Sequence, residues 1–474
     1  MNEPALQNFI DGKYVDSAGS AATPLIDPCT GQAWGEAPIS GPEDVDTAMR
    51  AARAAFTHWR TVTPAERQRI LLAIAAELEQ RIDEFAAAEA RDTGSAAAAG
   101  EVPLMVDQIR FFAGAARVLE GRSAGEYAPE HTSYVRREPV GVCAQLAPWN
   151  FPLLMAVLKS VPAIAAGNTV VLKPAPTTPS TALYFAELAA RHLPSGVLNV
   201  LCGDETTGHL LVRHDTPAMV SITGSVEAGM DVAAAAAATV KQVHLELGGK
   251  TPVIVCRDAD LSAATEKIIA GAFGNAGQDC TAASLVLADE AIYDDLLAAL
   301  VAAAQRSRPG PPSDDGASYG PLNNAAQLDR ISGLIERLPT HARVLTGGRR
   351  VGDEGFYFAP TVIAGVRPDD EIARIEIFGP VLTMQTFRTE DEAVALANGL
   401  HQGLASALWT RDNARAMRLS AQLDFGCVWV NTHLGFPSEM PHGGFKHSGY
   451  GKDLSVYGFE AYTRLKHVMH HIGA

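Results

Sequence analysis

Two residues of this chain have the types and neighbours that a covalent reaction at a carbonyl group requires. Cys280 lies in Asn275-Ala-Gly-Gln-Asp-Cys-Thr-Ala282, where small residues leave a thiol uncrowded and place backbone N–H groups near it. Glu246 lies upstream in Glu246-Leu-Gly-Gly-Lys250, and its carboxylate could serve as a general base. Any one of six cysteines is more often an inert small hydrophobe. The residues that accompany Cys280 decide between these alternatives.

An amide side chain completes this predicted catalytic group. Asn150 ends Ala147-Pro-Trp-Asn150, directly after a predicted strand. With the backbone N–H of Cys280 it could form an oxyanion site, in which each donor contributes about 3–4 kcal/mol to acyl transfer. Pro-Trp-Asn by itself is equally typical of a turn.

Two further positions could bind a nucleotide. In Thr223-Gly-Ser225, Gly224 allows a tight turn, Ser225 can cap a helix, and the exposed N–H groups favour a phosphate. This is not the Gly-x-Gly-x-x-Gly fingerprint, and Gly-Ser at a helix start is more often only a cap. Lys173 ends the apolar run Val170-Val-Leu-Lys-Pro174, so it lies at the carboxyl edge of a sheet, where ligands bind. Lys173 could also be a solvated strand end.

The elements that position these residues alternate regularly from residue 141. Short apolar runs predict strands at 142–146, 169–172, 197–201, 219–223 and 243–247, separated by helices at 153–166, 180–192, 205–213 and 226–240. Parallel strands need such crossovers, so we predict a doubly wound, Rossmann-like α/β sheet. A second alternation predicts another α/β domain, with strands at 253–256 and 285–288 and helices at 260–273 and 291–306.

The remaining segments are helical at the N-terminal side and strand-like elsewhere. Helical periodicity predicts helices at 44–58, 64–91 and 101–121. Two alternating segments, 126–137 and 462–471, lie outside both predicted domains. Solitary strands need a partner surface, so these could form an oligomerisation sheet or could pack on their own chain.

The overall composition excludes several classes of protein. The chain has 474 residues, of which 47% are hydrophobic and 19% charged, as expected for a globular protein of two or three domains. A net charge of −16 without a basic cluster argues against a nucleic-acid partner. The sequence shows no signal-peptide pattern and no long apolar span, so we expect a cytoplasmic protein with no membrane partner. The scattered cysteines predict neither disulfides nor a metal site.

Several motifs together resemble one family. They are Pro148-Trp-Asn150, Lys173-Pro174, Thr223-Gly-Ser225 with Gly229, Glu246-Leu-Gly-Gly-Lys250, Gly277-Gln-Asp-Cys280 and Glu376-Ile-Phe-Gly-Pro380. Their order and approximate spacing resemble the NAD(P)-dependent aldehyde dehydrogenase superfamily, from about residue 8 to 468. The resemblance implies a cofactor domain at 1–122 and 141–246, a catalytic domain at 247–448, and a small β oligomerisation extension at 123–140 and 449–474.

The resemblance also implies a reaction and a set of site residues. The Cys280 thiolate would attack an aldehyde, Asn150 and the Cys280 N–H would hold the oxyanion, and hydride would pass to the nicotinamide. Glu246 would then activate the water that hydrolyses the thioester. The implied cofactor site consists of Lys173, Ser225, Gly224, Gly229, Trp149, Glu376, Phe378 and Leu247.

Within the superfamily, the closest likeness is to bacterial gamma-aminobutyraldehyde dehydrogenases of putrescine breakdown. It rests on Phe111-Phe-Ala-Gly-Ala-Ala-Arg117, Gly125-Glu-Tyr127, His131-Thr-Ser133, residues 275–282, Trp429-Val-Asn-Thr-His433 and Ser438-Glu-Met-Pro-His-Gly-Gly444. An amino aldehyde is cationic, so its pocket should contain carboxylates or aromatic faces. The implied pocket consists of Asp279, Phe151, Leu158, Glu101, Leu104, Asp107, Phe436 and Glu439.

Two positions depart from the family pattern. Leu158 stands where aminoaldehyde enzymes are expected to have a tryptophan, so one aromatic wall is lost. Pro176 stands where members that prefer NAD usually have a glutamate, so we expect NAD but keep NADP as an alternative. Aromatic, aliphatic or semialdehyde substrates are alternatives, and a catalytically silent binding or structural protein is a remote one. We further expect a homo-oligomer, either a dimer or a tetramer.

Overall fold

The computed structural model describes residues 5–95 and 97–473. Residues 1–4 and 474, at the two ends of the predicted domains, and residue 96 lie outside the described residues. Its strands are short and, from β7 to β11, alternate with helices. In chain order they are β1 (Asn8–Ile10), β2 (Lys13–Val15), β3 (Ala22–Ile26), β4 (Ala33–Pro38), β5 (Gly125–Ala128), β6 (His131–Pro139), β7 (Val142–Leu146), β8 (Thr169–Lys173), β9 (Leu198–Val200), β10 (Met219–Gly224), β11 (Gln242–Leu247), β12 (Pro252–Val255), β13 (Leu285–Asp289), β14 (Arg343–Thr346), β15 (Thr361–Ala364), β16 (Val381–Phe387), β17 (Gln402–Gly403), β18 (Ala405–Trp409), β19 (Cys427–Val430), β20 (Phe445–Lys446), β21 (Gly449–Tyr450) and β22 (Thr463–His471).

The helices cover the faces of the sheets. They are α1 (Pro42–Trp59), α2 (Pro64–Gln80), α3 (Ile82–Thr93), α4 (Ala98–Ala115), α5 (Pro152–Ala165), α6 (Ser180–Ala190), α7 (Glu205–Arg213), α8 (Val226–Ala237), α9 (Leu261–Phe273), α10 (Tyr293–Arg306), α11 (Ala325–Glu336), α12 (Glu371–Arg374), α13 (Glu390–Asn398), α14 (Asn413–Ser420) and α15 (Ser455–Ala461). No helix among the described residues combines the length and apolarity needed to cross a bilayer.

The first sheet has the predicted doubly wound arrangement. Its strand order is β2-β1-β9-β8-β7-β10-β11-β21, and the strands from β9 to β11 pair in parallel. Both faces are buried, because Val170 and Leu172 of β8 belong to one hydrophobic cluster and Val171 to another. Such a sheet places the carboxyl ends of β7, β10 and β11 at one edge, where ligands bind.

The second sheet also belongs to an α/β unit, and it contains more strands than the two that the sequence predicted. Its order is β14-β15-β16-β13-β12-β18-β19, in which only β14 pairs antiparallel. Val253 and Val255 of β12 point into one hydrophobic cluster and Ile254 into the other. The predicted fold class, with two α/β units, is therefore confirmed.

The two segments predicted outside the domains pair with each other. β5, β6 and β22 form a three-stranded antiparallel sheet, in which Thr463 of β22 lies opposite Pro139 and His471 opposite His131. The two segments therefore pack on their own chain, and an oligomerisation role remains a prediction. The predicted domain limits also remain a prediction; the short β21 within 449–474 pairs with β11 of the first sheet.

Two predicted helices differ from the observed ones by more than the others do. The single helix predicted at 64–91 is divided into α2 and α3 at Arg81, whose φ of −116° and ψ of 23° leave the helical region. The helix predicted at 101–121 spans Ala98–Ala115, and its end is tightened by backbone bonds from Arg117 to Gly114 and from Val118 to Ala115. Such i→i−3 bonds are typical of a last helical turn.

Candidate active site

A sharp turn before Cys280 brings its thiol to the space between the two sheets. Asn275, Ala276 and Gly277 all have positive φ, at 48°, 56° and 68°. Gly277 is required, since a Cβ there would lie 2.2 Å from the Gly379 carbonyl oxygen. A Cβ on Gly249 would lie 2.3 Å from the Cys280 carbonyl oxygen, so the Glu246-Leu-Gly-Gly-Lys250 motif supports the nucleophile loop by close backbone contact.

The Cys280 thiol lies in an acidic environment. It is partly buried, and its pKa is raised well above the usual value, first by burial and then by Asp279, Glu246 and Glu376. These carboxylates favour the protonated thiol. Formation of the thiolate therefore requires a base or a local change of charge, in contrast to cysteines that are activated by a neighbouring cation.

Glu246 lies near the carboxyl end of β11 and is only 3% exposed. Neither carboxylate oxygen has a hydrogen-bond partner among the described residues. Burial, followed by the Asp453 carboxylate, raises the pKa of Glu246 to about 8, against opposing effects of Lys159 and Lys452. A group with such a pKa can exchange a proton near neutral pH, as a general base must.

Asn150 is held against the nucleophile loop. Its Nδ2 donates to the Gln278 carbonyl oxygen at 3.0 Å, and Asn275 Nδ2 donates to the Asn150 carbonyl oxygen at 2.9 Å. A side-chain amide carries two N–H donors, so one remains available. The structure therefore brings the three predicted catalytic residues, Cys280, Glu246 and Asn150, into the lining of one cavity of about 1160 Å³.

Most predicted cofactor residues line the same cavity, namely Ser225, Gly224, Trp149, Glu376, Phe378 and Leu247. Ser225 caps α8 by accepting the Ala228 N–H at 3.2 Å. The Trp149 and Phe378 rings meet edge to face, with centroids 5.2 Å apart. Thr223 Oγ1, also in the lining, is buried without a partner among the described residues. An unpaired hydroxyl, a helix N-terminus and two aromatic rings fit the predicted nicotinamide dinucleotide.

Glu376 contacts the Glu246-Leu-Gly-Gly-Lys250 motif. Its Oε1 accepts the Gly249 N–H at 3.1 Å, and a Cβ on Gly248 would lie 2.2 Å from its Oε2. Burial raises the pKa of Glu376 to about 7. Sequence reasoning missed Gln327, whose Nε2 donates to the Phe378 carbonyl oxygen at 2.6 Å, and Arg330, which donates to the Glu376 carbonyl oxygen.

Lys173 and Gly229 do not line the cavity. Burial lowers the pKa of Lys173 to about 8, and its Nζ donates to the carbonyl oxygens of Pro174 and Gly203, both at 2.9 Å. Lys173 is therefore not a solvated strand end. Two of its three ammonium N–H groups are bonded, and its role in cofactor binding remains a prediction. Gly229 has a packing role, since a Cβ there would lie 2.4 Å from the Leu247 side chain.

The predicted substrate residues line the cavity with one exception. Asp279, Phe151, Leu158, Glu101, Leu104, Asp107 and Phe436 are in the lining, whereas Glu439 is exposed and outside it. Burial and the Asp279 charge raise the pKa of Glu101 to about 7. Asp107 accepts the Ser438 hydroxyl at 2.7 Å. Asp279 Oδ1 accepts both the backbone N–H and the hydroxyl of Thr281 at 2.7 Å, so this carboxylate also shapes the nucleophile loop.

A polar cluster behind Glu246 was not predicted. His244, Glu246 and Asp453 each place one ligand atom within 4.8 Å of the others, as a metal site would need. The Lys159 ammonium, however, lies 3.3 Å from Asp453 and already neutralises that carboxylate. We therefore assign no ion to the cluster. Only the i, i+2 spacing of His244 and Glu246 on one strand face was visible in the sequence.

Comparison with known proteins identifies the family of this chain. A profile described as the aldehyde dehydrogenase family matches residues 14–468. The chain belongs to the aldehyde dehydrogenase family.

Solved structures of similar proteins cover nearly the whole chain of this aldehyde dehydrogenase. An NAD-dependent aldehyde dehydrogenase from Sinorhizobium meliloti is 38% identical with a TM-score of 0.97, over 100% of this chain and 96% of that one. An aldehyde dehydrogenase from Bacillus cereus is 34% identical with a TM-score of 0.97, over 99% and 97%. A betaine aldehyde dehydrogenase from Staphylococcus aureus in complex with NAD+ is 32% identical with a TM-score of 0.97, over 99% and 95%.

Proposed function

We propose that this aldehyde dehydrogenase oxidises a cationic amino aldehyde, such as 4-aminobutanal, to its carboxylate with NAD as the oxidant. The observation that carries the proposal is an acidic substrate wall, in which Glu101, Asp107 and Asp279 line the same cavity as Cys280. The lysine and arginine residues in the described lining are Arg330 and Arg374, which belong to the Glu376 side. An ammonium group is the substrate feature that such a wall favours.

The electrostatics of Glu101 and Asp279 support this substrate class. Repulsion between the two carboxylates contributes to the raised pKa of Glu101, so ionisation of both groups is disfavoured when no cation is bound. A cation between the two carboxylates relieves that repulsion and favours ionisation of Glu101. An anionic semialdehyde would increase it.

The first covalent step joins Cys280 Sγ to the aldehyde carbon. The thiol gives its proton to solvent water, the S–C bond forms, the C=O π bond breaks, and the carbonyl oxygen becomes an oxyanion. The free N–H of Asn150 and the backbone N–H of Cys280, which lies beside its own sulfur, are the donors that hold this charge. Expulsion of hydride from the same carbon then gives a thioester. When bound along Gly224, Ser225, Glu376 and Phe378, the nicotinamide cofactor supplies the hydride acceptor.

Glu246 is the general base for hydrolysis of the thioester. The carboxylate takes a proton from water, the water oxygen attacks the thioester carbon, and the C–S bond breaks with the thiolate as leaving group. Overall, one aldehyde, one NAD+ and one water give one carboxylate, one NADH and two protons. The buried Glu246 carboxylate is suited to this step because its oxygens have no hydrogen-bond partner among the described residues and can accept from water.

Substitution of the acidic wall tests the substrate class. Glu101→Gln and Asp107→Asn should each lower kcat/KM for 4-aminobutanal and for betaine aldehyde by about tenfold, since each removes a charge that pairs with the cation. Pentanal, which has no charge, should change by less than about twofold on the same reasoning. Asp279→Asn is the appropriate third variant, because an alanine there would also remove the acceptor that holds Thr281. Steady-state kinetics with NAD and with NADP give all these values.

Two results would contradict the amino aldehyde assignment. One is an equal loss of kcat/KM for pentanal and 4-aminobutanal in both wall variants. The other is a wild-type preference for pentanal or for succinic semialdehyde, which carries a negative charge. Either result would leave aldehyde oxidation in place and move the substrate to the neutral or anionic class.

A further inference from the structure

The nearest ring nitrogen to the general base belongs to His442, which the reaction scheme above leaves without a role. His442 Nε2 lies 3.8 Å from Glu246 Oε1, and both side chains line the cavity. The glycine that follows permits this approach, since a Cβ on Gly443 would lie 3.3 Å from Glu246 Oε2. Catalytic hydrogen bonds are often this long in the free enzyme and shorten when substrate binds.

His442 is held in place by its backbone and by its ring. Its backbone N–H donates to the Asp453 carbonyl oxygen at 3.0 Å, and Asp453 N–H donates back to His442 at 2.7 Å. The ring meets Phe436 edge to face, with centroids 5.0 Å apart at 88°. Its Nδ1 is buried without a partner among the described residues, which leaves Nε2 as the atom directed towards Glu246.

None of the described charged groups around Glu246 donates a hydrogen bond to its carboxylate, so a neutral donor would stabilise the ionised form. The groups that face it are His244 on its own strand, Lys159 on α5, Cys280 on the nucleophile loop, and Lys452 and Asp453 after β21. Asp453 opposes ionisation of Glu246 while the lysines favour it. His244 is neutral, with a pKa lowered to about 4, and its Nδ1 is bonded to the Ser221 hydroxyl at 2.9 Å.

Burial also lowers the pKa of His442, so this ring is a neutral donor. A neutral N–H can stabilise the Glu246 carboxylate without adding a charge to the site. That distinguishes His442 from the lysines, which act from further away.

We propose that His442 is a positioning residue that donates its Nε2–H to the ionised Glu246 carboxylate and holds it for thioester hydrolysis. The inference rests on the proposed function, because hydrolysis is a step of aldehyde oxidation. Acylation of Cys280 precedes this step and does not need the contact. His442 therefore affects deacylation and its pH dependence, and leaves the formation of the thioester unchanged.

Paired substitutions in the full-length enzyme separate this role from packing. His442→Phe keeps a ring against Phe436 and removes the donor, whereas His442→Gln keeps an N–H donor. In the phenylalanine variant, the acid limb of the kcat profile should move up by about one pH unit, and kcat at pH 7 should fall by about tenfold. Its pre-steady-state burst of NADH should keep the wild-type rate within about twofold. The glutamine variant should restore most of the kcat and of the acid limb.

Two outcomes would overturn the inference. They are an acid limb of His442→Phe that coincides with the wild type, and a loss of burst and turnover together that His442→Gln does not restore. His442→Leu replaces the phenylalanine variant if that one does not fold. A wild type that oxidises no aldehyde would overturn the proposed function instead. Hydrolysis of p-nitrophenyl acetate, which acylates a thiol without any cofactor, would still show whether the acid limb depends on His442.

Discussion

At the scale of single residues, the nucleophile and the base have unfavourable protonation states for the same reason. Burial and clustered carboxylates favour the protonated forms of both Cys280 and Glu246. Cys280 is therefore a weak nucleophile in the resting enzyme. The pKa of Glu246, about 8, lies close to the pH of the reaction, which suits a general base. Turnover should rise with pH through about 8, as Glu246 loses its proton and becomes able to accept another from water.

Removal of the Glu246 charge should separate the two halves of the reaction. In Glu246→Gln, steady-state turnover should fall by about 10²–10⁴-fold, the usual contribution of a general base, and its rise with pH should disappear. Hydride transfer precedes the step that Glu246 serves, so a stoichiometric burst of NADH should remain. Stopped-flow absorbance measures both, with Cys280→Ala as the variant that has no burst. Loss of the burst in Glu246→Gln would instead assign Glu246 to removal of the thiol proton.

At the scale of elements, sequence periodicity was reliable where strands are buried on both faces. The strands from β7 to β13 were predicted within two residues, because continuous apolar runs between helices have few alternative structures. The two-residue strands β17, β20 and β21 carry no such signal, and each pairs with a strand distant in the chain.

The same limit applies to the candidate site. Cys280, Glu246 and Asn150 lie in motifs that are local in sequence, so they could be predicted. The Lys159–Asp453 pair joins positions far apart in the chain and could not. Lys173 was placed at the correct sheet edge, but the sequence could not show that its ammonium turns to the carbonyl oxygens of Pro174 and Gly203.

A buried glutamate on α3 connects the helices that carry the site. Glu89 is 2% exposed; its Oε1 accepts the Leu153 N–H in the first turn of α5, and its Oε2 accepts the Thr181 hydroxyl of α6. Asn150 lies just before α5, so this contact helps to set its position. Burial raises the pKa of Glu89 from 4.5 to about 8, despite the bonds that oppose the shift.

The raised pKa of Glu89 predicts a pH-dependent loss of stability. Between about 4.5 and about 8, the unfolded chain has an ionised Glu89 and the folded chain a protonated one, so unfolding releases a proton and stability falls as pH rises. Glu89→Gln keeps the acceptor for Leu153 but does not titrate. Its Tm relative to the wild type should therefore be higher at pH 8 than at pH 5.5, as measured by differential scanning calorimetry. Glu336→Gln, at the exposed end of α11, is the matched control, and an equal Tm difference for Glu89→Gln at both pH values would contradict the prediction.

At the scale of the whole molecule, catalysis depends on the contact between two sheets. Cys280 precedes β13 of the second sheet, while Glu246 lies in β11 of the first sheet and Asn150 follows β7. The close packing of Gly249 on the Cys280 backbone joins the two units at the reacting atoms. None of the described residues of the three-stranded sheet formed by β5, β6 and β22, the third sheet, lines the cavity. We therefore expect this sheet to have a role other than catalysis.

The edge of that third sheet predicts self-association. β22 is nine residues long, is the outer strand of the order β22-β6-β5, and exposes Leu465 and Met469 by 65% and 48%. A long edge strand with exposed apolar side chains such as Leu465 and Met469 can pair with a strand of another chain. Leu465→Lys with Met469→Lys should lower the sedimentation coefficient towards that of a 50.0 kDa monomer, because charged side chains would have to be buried against the partner strand. Lys466→Arg on the same strand preserves charge and should leave the assembly intact. A wild type that sediments as a monomer, or a double variant that sediments as the wild-type oligomer, would show that β22 serves only the packing of its own chain.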